Sequence, residues 1–447
     1  MKIGFAGHDI TPRIGVELCG FGPFRCRHSN KILHPLWAKA MVIEQGSVRA
    51  AIISCDLIGI TLALTNQIRS LVTKATGIPK DAILVHCTHT HSGPNTGGYI
   101  GWGEPDQPYL ETLPQRIALA VQKATENMVE ATLSHAEVPC EGMAINREYE
   151  GPAPPLPAGL NPDWRPEKPD LTDTTCHVIE ARSGEKRLGF LAFFSCHPVV
   201  CCEKTHAIHG DYCGVAMRML EDEYPGAVGL FLQGALGDVN PCVAHESETD
   251  SFSALDQIAA RFADSVRVGL QKAQAFGVNE IRFARRDVVF SRKPWGPEEL
   301  RRRLAAVEQK LNMLEATDIF FKNDVNIRME TVYAIALRRL IAQAERGESL
   351  SPTTEIQGLR LGPLSLLATP LEIFQSIKNE VHKQVKSPIP FIMSVTNDTA
   401  GYATDYEMGA LGGYAAEMVP LITGSIPYAQ IYDEIVQELL ALDAELH

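Results

Sequence analysis

The chain is 447 residues long, with 45% hydrophobic and 21% charged residues, ordinary for a globular protein and unlike a disordered or fibrous one. Its 41 basic and 54 acidic residues give a formal charge of −13, which argues against a broad basic footprint for nucleic acid. No apolar run approaches the roughly 18 residues of a membrane span.

Gly7, His8, Asp9 and Pro12 interrupt the N-terminus before a signal-peptide core can form. The eleven cysteines, from Cys19 to Cys242, are odd in number and include no C-x-x-C pair. They read as reduced, mostly buried thiols rather than a Cys-rich zinc module, and the expected location is cytoplasmic.

In chain order, residues 41–43 and 51–55 read as strands paired around Gly46. Residues 61–76 have helical spacing and stop at Gly77. Residues 82–85 form a buried strand and 108–129 an amphipathic helix. Residues 149–170 carry seven prolines and cannot hold regular structure; they read as a long ordered loop or lid. A strand over 188–196, a helix over 212–224, a strand over 228–232, a helix over 254–276 and a strand over 281–290 follow. Residues 297–315 and 323–348 read as two charged helices, a hairpin, with Pro297 in the first turn. The run Arg301-Arg302-Arg303 lies on that pattern as a solvated face. A strand over 364–367, a helix from 371 and a last helix from 431 complete the chain. No internal repeat is visible, and the interleaving without a compositional break predicts one α/β domain over 1–447.

The strongest local signal is Thr88-His89-Thr90-His91-Ser92-Gly93-Pro94, directly after a buried strand. In extended backbone, residues two apart share a side, so His89 and His91 converge and can bind a metal. H-x-H alone is shared by amidohydrolases and metallo-β-lactamases, though the latter need an Asp where Gly93 stands. The plainer reading is a hydrogen-bonded histidine pair. His197 ends a second apolar strand, the place where open α/β sheets put ligands. His206 and His209 could each be a ligand, but the plainer reading is of loop histidines that bond backbone. Gly234 to Pro241 lacks the Lys-Ser/Thr of a phosphate loop, and its Asp238 and Asn240 read equally well as turn formers. Thr369-Pro370-Leu371-Glu372 fits a helix capping box, with Glu372 as the cap. Tyr402 alone is a turn tyrosine.

Taken in order, Gly7-His8-Asp9, Ser54-Cys55-Asp56, Thr88 to Pro94, Asn146-Arg147, Phe194 to His197, Gly210-Asp211, Gln233 to Pro241, Pro370 to Glu372 and Asn397 to Tyr414 resemble the neutral/alkaline (non-lysosomal) ceramidase family, specifically its N-terminal catalytic domain. The resemblance implies a single stacked α/β domain, with mixed β-sheets flanked by helices and 297–348 as a helical hairpin insertion. It implies Zn2+ held by His89, His197, Glu372 and Tyr402, with His91 and Arg147 facing the scissile bond and Tyr414 as a further site tyrosine. Where the family has a catalytic serine this chain has Asn240, which cannot be acylated. The expected function is hydrolysis of an amide bond in a soluble N-acyl or cyclic amide, by attack of metal-bound water. His91 would pass a proton to the leaving amine, Arg147 and Tyr414 would meet the oxyanion or a substrate carboxylate, and Asn240 would orient water or substrate. A lactone or ester hydrolase, and a non-catalytic zinc-containing binding protein, are the alternatives. The partner expected is a small-molecule substrate.

Overall fold

A computed structural model describes residues 1–314 and 325–447. Its framework is three β-sheets of one topology. In the first, Lys2–Asp9, Trp37–Gln45 and Val48–Cys55 run antiparallel, and Ile83–Cys87 then lies parallel to Val48–Cys55. In the second, Thr132–Pro139, Thr175–Ser183 and Lys186–Phe194 are antiparallel, and Val228–Gln233 lies parallel to the last. In the third, Ile281–Val288, Thr354–Leu361 and Leu364–Ala368 are antiparallel, and Ile389–Met393 is parallel to Leu364–Ala368. In each sheet a tight turn joins the second strand to the third, a long connection joins the first to the second, and the parallel step uses a crossover helix. The crossover helices are Leu62–Thr76, Asp211–Glu223 and Gln375–His382. A second helix follows each fourth strand and packs back on its own sheet: Gln107–Glu126, Glu248–Lys272 and Ile431–Leu446. The fold is thus a threefold recurrence that the sequence does not display.

Strand alternation decides which core each side chain enters. Leu191 and Phe193 face the core shared by the three sheets, while Phe190, Ala192 and Phe194 face the helices of the second sheet. Leu366 and Leu367 divide in the same way in the third. Phe193 stacks on Phe391 at 4.4 Å where the second and third sheets meet. Burial on both faces is why these strands read as continuous apolar runs.

Three stretches change type from the sequence reading. The helix over 108–129 is Gln107–Glu126, and Val129–Glu130 instead pairs with Lys2–Asp9. The helix over 254–276 is Glu248–Lys272, capped by the Ser247 hydroxyl, and Gln274–Phe276 instead joins Thr132–Pro139 as an edge strand. The helix expected from 371 begins at Gln375, after a two-residue strand Glu372–Ile373. Glu372 is therefore not a capping-box residue: pairing with a distant segment overrides the local Thr-Pro-Leu-Glu pattern.

Pro297–Met313 and Val325–Glu345 are the two charged helices, and their pairs Arg301–Glu345 and Arg338–Glu308 make them antiparallel. The junction expected between them, 316–322, lies outside the described residues, as do residues 315, 323 and 324 of the expected helices. Arg302 and Arg303 pair with Glu299, and Arg303 also lies 3.7 Å over Trp295. The inner face of the pair packs on Trp102, Trp295, Phe374 and Tyr402. Residues 149–170 include a single turn, Leu156–Gly159, whose last carbonyl accepts from Arg261. Among the described residues no helix is long and apolar enough to cross a membrane.

Arg69 ties the first unit to the third. From Leu62–Thr76 it reaches Glu355 at 2.6 Å and Gln357 at 2.9 Å, and both Arg69 and Glu355 are buried. Arg69→Ala leaves Glu355 only its contact with Arg285, so a loss of about 3 kcal/mol is expected in urea unfolding, the cost of breaking a buried pair from one side. A change below about 0.5 kcal/mol, the level of an ordinary surface substitution, would show that the tie is not structural.

Candidate functional site

The loops leaving the C-terminal ends of the parallel strands gather on one side. His89 and His91 follow Ile83–Cys87, His197 follows Lys186–Phe194, Asp238 and Asn240 follow Val228–Gln233, Glu372 follows Leu364–Ala368, and Tyr402 follows Ile389–Met393. Every unit therefore contributes, at the position where α/β sheets carry ligands.

His89 is not in the extended backbone that alternation assumed. Its φ is +71°, a left-handed conformation rare outside glycine. Hydrogen bonds fix it there, its N–H donating to the Leu57 carbonyl at 2.9 Å and its Nδ1 lying 2.6 Å from the Ile58 carbonyl. His197 is held in the same manner, N–H to the Val239 carbonyl at 2.9 Å and Nδ1 to the Leu236 carbonyl at 2.6 Å. A carbonyl only accepts, so each Nδ1 carries the proton and each Nε2 presents a lone pair.

Those lone pairs meet a carboxylate. Glu372 Oε2 is 3.4 Å from His89 Nε2 and 3.2 Å from His197 Nε2. His197 Nε2 and Glu372 Oε2 are buried without a hydrogen-bond partner. Three acceptors facing one another with no donor between them are unfavourable unless a cation sits among them. The donor set of two imidazoles and a carboxylate suits zinc. Burial opposes ionisation of Glu372, and only positive charge at His89 and His197, which a bound cation would replace, holds the carboxylate below the usual range. Burial, then the charge of Arg147, pushes His197 down to about 4, so it is neutral near pH 7, as a ligand must be.

Tyr402 is the register partner of Glu372 in a two-residue parallel bridge, which sets the phenol beside the carboxylate. Its hydroxyl accepts from Arg147 Nη2 at 3.0 Å, and burial together with Glu372 raises it well above an ordinary phenol. Arg147 also donates to the Gly237 carbonyl at 2.7 Å and to Asn240 Oδ1 at 3.2 Å. Asn240 is thus engaged as an acceptor. Both ring nitrogens of His91 are buried without partners, and its ring lies 4.9 Å from that of His89 and 5.9 Å from that of His197. Gly20 makes the room: a Cβ there would sit 2.6 Å from His91 Nδ1. Tyr414 is half-exposed, 6.1 Å from the Tyr402 ring, and opens a one-turn π-helix, Tyr414–Met418, a form frequent at functional sites.

The structure thus brings His89, His91, His197, Glu372, Tyr402, Arg147 and Asn240 together, with Tyr414 at the edge. All of them except His89 and Glu372 line a cavity of about 420 Å³. One contribution goes beyond its sequence reading and another has no signal there. Asp238 is a brace rather than a turn former: its carboxylate accepts from Asn146 Nδ2 at 2.7 Å and from the Gln375 N–H at 2.8 Å, and its carbonyl from the Arg147 N–H at 2.8 Å. Burial raises it to about 7. The cavity walls come from Phe21, Trp102, Met329 and Met418, none of them in a motif.

A second buried cluster, Cys201, His209 and Asp211, is spent on backbone. Asp211 accepts from the N–H groups of Val200, Cys201 and Tyr212 and donates its own to His209 Nδ1. His206 Nδ1 bonds the His28 carbonyl.

The sequence profile of a family described as neutral/alkaline non-lysosomal ceramidase, N-terminal, matches residues 1–281. Neutral ceramidases of Drosophila melanogaster and Drosophila pseudoobscura pseudoobscura are each 24% identical over 282 residues, covering 58% of this chain and 39% of theirs. The chain therefore matches about two fifths of the length of these curated relatives. The crystal structure of neutral ceramidase from Pseudomonas aeruginosa superposes with a TM-score of 0.76 at 19% identity, covering all of this chain and 74% of that one. A ceramidase complexed with C2 does so at 0.76 and 18%, covering all of this chain and 75% of that one. At such identities the likeness is one of fold.

Opposed acceptors make a prediction that does not depend on activity. Glu372→Gln replaces one acceptor with an amide donor, so the metal-free protein gains about 1 kcal/mol in urea unfolding while zinc uptake is lost. A destabilised metal-free variant would mean that the imidazoles are protonated and that the cluster is an ion pair.

Proposed function

The chain belongs to the neutral/alkaline non-lysosomal ceramidase family, and we propose that it is a zinc-dependent hydrolase of an amide bond in a small N-acyl or cyclic amide. The observation that carries this reading is the convergence of His89 Nε2, His197 Nε2 and Glu372 Oε2, the last two buried without a hydrogen-bond partner. With Tyr402 beside Glu372 these four residues would hold the metal. Zinc supplies Lewis-acid polarisation of a carbonyl and a nucleophile at neutral pH.

The remaining chemistry falls to the chain's own groups. His91 is kept neutral, well below the ordinary imidazole range, by burial. Its unpartnered nitrogens can accept the proton released by the attacking water and deliver it to the leaving nitrogen, the demanding step for an amide. Arg147 is fixed by Gly237, Asn240 and Tyr402, so it meets a developing oxyanion without reorganising. Tyr414 stands across from it as a further hydroxyl. Asn240 cannot form an acyl intermediate; its role is to hold Arg147, which supports direct attack of water. The relative complexed with C2 supports a small-molecule substrate.

Zinc-replete enzyme assayed on N-acyl amides and lactams tests this reading. His91→Ala should lose about 10²–10⁴ in kcat on an amide and less on the ester of the same acyl group, whose leaving oxygen needs little protonation. Arg147→Ala should lose about 10²–10³ on both. Failure of zinc-replete wild type to cleave amides, lactams or esters would overturn the proposal.

A further inference from the structure

We propose that Arg27 is a positioning residue for His91: it grips the main chain of that histidine and the aromatic ring packed against it, and so holds the imidazole where it can pass a proton. The reaction belongs to the hydrolase reading above; the positioning rests on separate geometry.

The need for such a device comes from a difference among the three histidines of the site. His89 and His197 are each aimed by a contact of 2.6 Å between Nδ1 and a carbonyl. His91 has no such contact, since both of its ring nitrogens are buried without partners. No polar bond fixes the ring, yet a proton carrier works only when it is held within a fraction of an ångström of its place. Packing and the backbone are left to hold it.

The packing comes from the loop over 19–27. Gly20, at φ +108°, brings its backbone against the ring, where a Cβ would lie 2.7 Å from His91 Cγ. Phe21, at φ +62°, meets the same ring edge-on at 4.9 Å. Left-handed backbone at a phenylalanine persists only where the surroundings impose it.

Arg27 imposes it. Its Nη1 donates to the His91 carbonyl at 3.2 Å and to the Cys19 carbonyl at 3.5 Å, and its Nη2 to the Thr205 carbonyl at 3.2 Å. The guanidinium also lies 4.8 Å over the Phe21 ring. Among the described residues no other donor reaches the His91 carbonyl. The Leu18 N–H, donating to the Arg27 carbonyl at 2.8 Å, closes the loop at its base. One planar cation therefore touches both features that define where the imidazole sits. The arrangement carries a free-energy cost. Arg27 is 2% exposed and its Nε has no partner. Glu203 acts on its charge from beyond bonding distance. An apolar side chain would fill a purely structural position at lower free energy.

Zinc-replete full-length protein tests this with hexananilide and phenyl hexanoate, which share an acyl group and differ in how much the leaving atom needs a proton. In Arg27→Met, kcat on the anilide should fall about 10–100-fold, and on the ester less than about threefold, with zinc content unchanged. Added to His91→Ala, the same substitution should cost less than about threefold on the anilide, because both residues then act through one step. Parallel losses on anilide and ester, or an anilide loss that persists in full without His91, would overturn the inference. Should Arg27→Met fail to fold, Arg27→Lys, which keeps the charge and loses the planar fork, is judged by the same outcomes. If wild type cleaves neither substrate, the hydrolase reading has failed on its own. Carbethoxylation of His91 by diethyl pyrocarbonate, mapped on peptides against His447, then decides the positioning. A several-fold faster reaction at His91 in the variant supports it, and an unchanged rate refutes it.

Discussion

Three atoms, His89 Nε2, His197 Nε2 and Glu372 Oε2, point at one another inside the protein, and the last two have no hydrogen-bond partner. Each is aimed by a contact that leaves it no alternative. The Ile58 and Leu236 carbonyls fix the two imidazole tautomers, and the bridge between Glu372 and Tyr402 fixes the carboxylate. Such an arrangement costs free energy in the empty site and returns it when a cation is bound. The strain at His89 and the buried carboxyl of Asp238 are features of the same kind, tolerated because the surrounding structure over-determines them.

The fold explains why the three atoms come from segments so far apart. Each unit of three antiparallel strands, a helix and a parallel fourth strand sends its loops to the same side. The first unit delivers His89 and His91, the second His197 and Asn240, the third Glu372 and Tyr402. No unit holds a complete set, so the site exists only when all three pack on their common core. The buried Arg69–Glu355 pair and the Phe193–Phe391 stack join units rather than residues within one. The site's geometry and the stability of the whole chain are therefore coupled.

How much of this was legible follows from what each feature requires of the sequence. Strands buried on both faces need only apolar residues, and so 82–85, 188–196 and 364–367 stand out as runs. For the same reason the threefold recurrence is hidden, since many apolar sequences satisfy one topology. Thr88 to Pro94 is legible because ligand chemistry and turn chemistry coincide in a few residues, although the backbone at His89 is left-handed rather than extended. Glu372 misleads in isolation: Thr-Pro-Leu-Glu satisfies a capping box, and only pairing with Tyr402 places it in a strand. Asp238 looks like any turn aspartate because its partners, Asn146 and Gln375, are remote in sequence. The walls contributed by Phe21, Arg25 and Met329 follow from tertiary packing alone.

The most direct measurement is anomalous diffraction at the zinc edge from crystals grown with zinc. The account predicts one peak at ligand distance, about 2.0–2.2 Å, from His89 Nε2, His197 Nε2 and Glu372, with the Tyr402 hydroxyl completing the set. A site empty at saturating zinc, or a peak at Cys201, His209 and Asp211 instead, would contradict it.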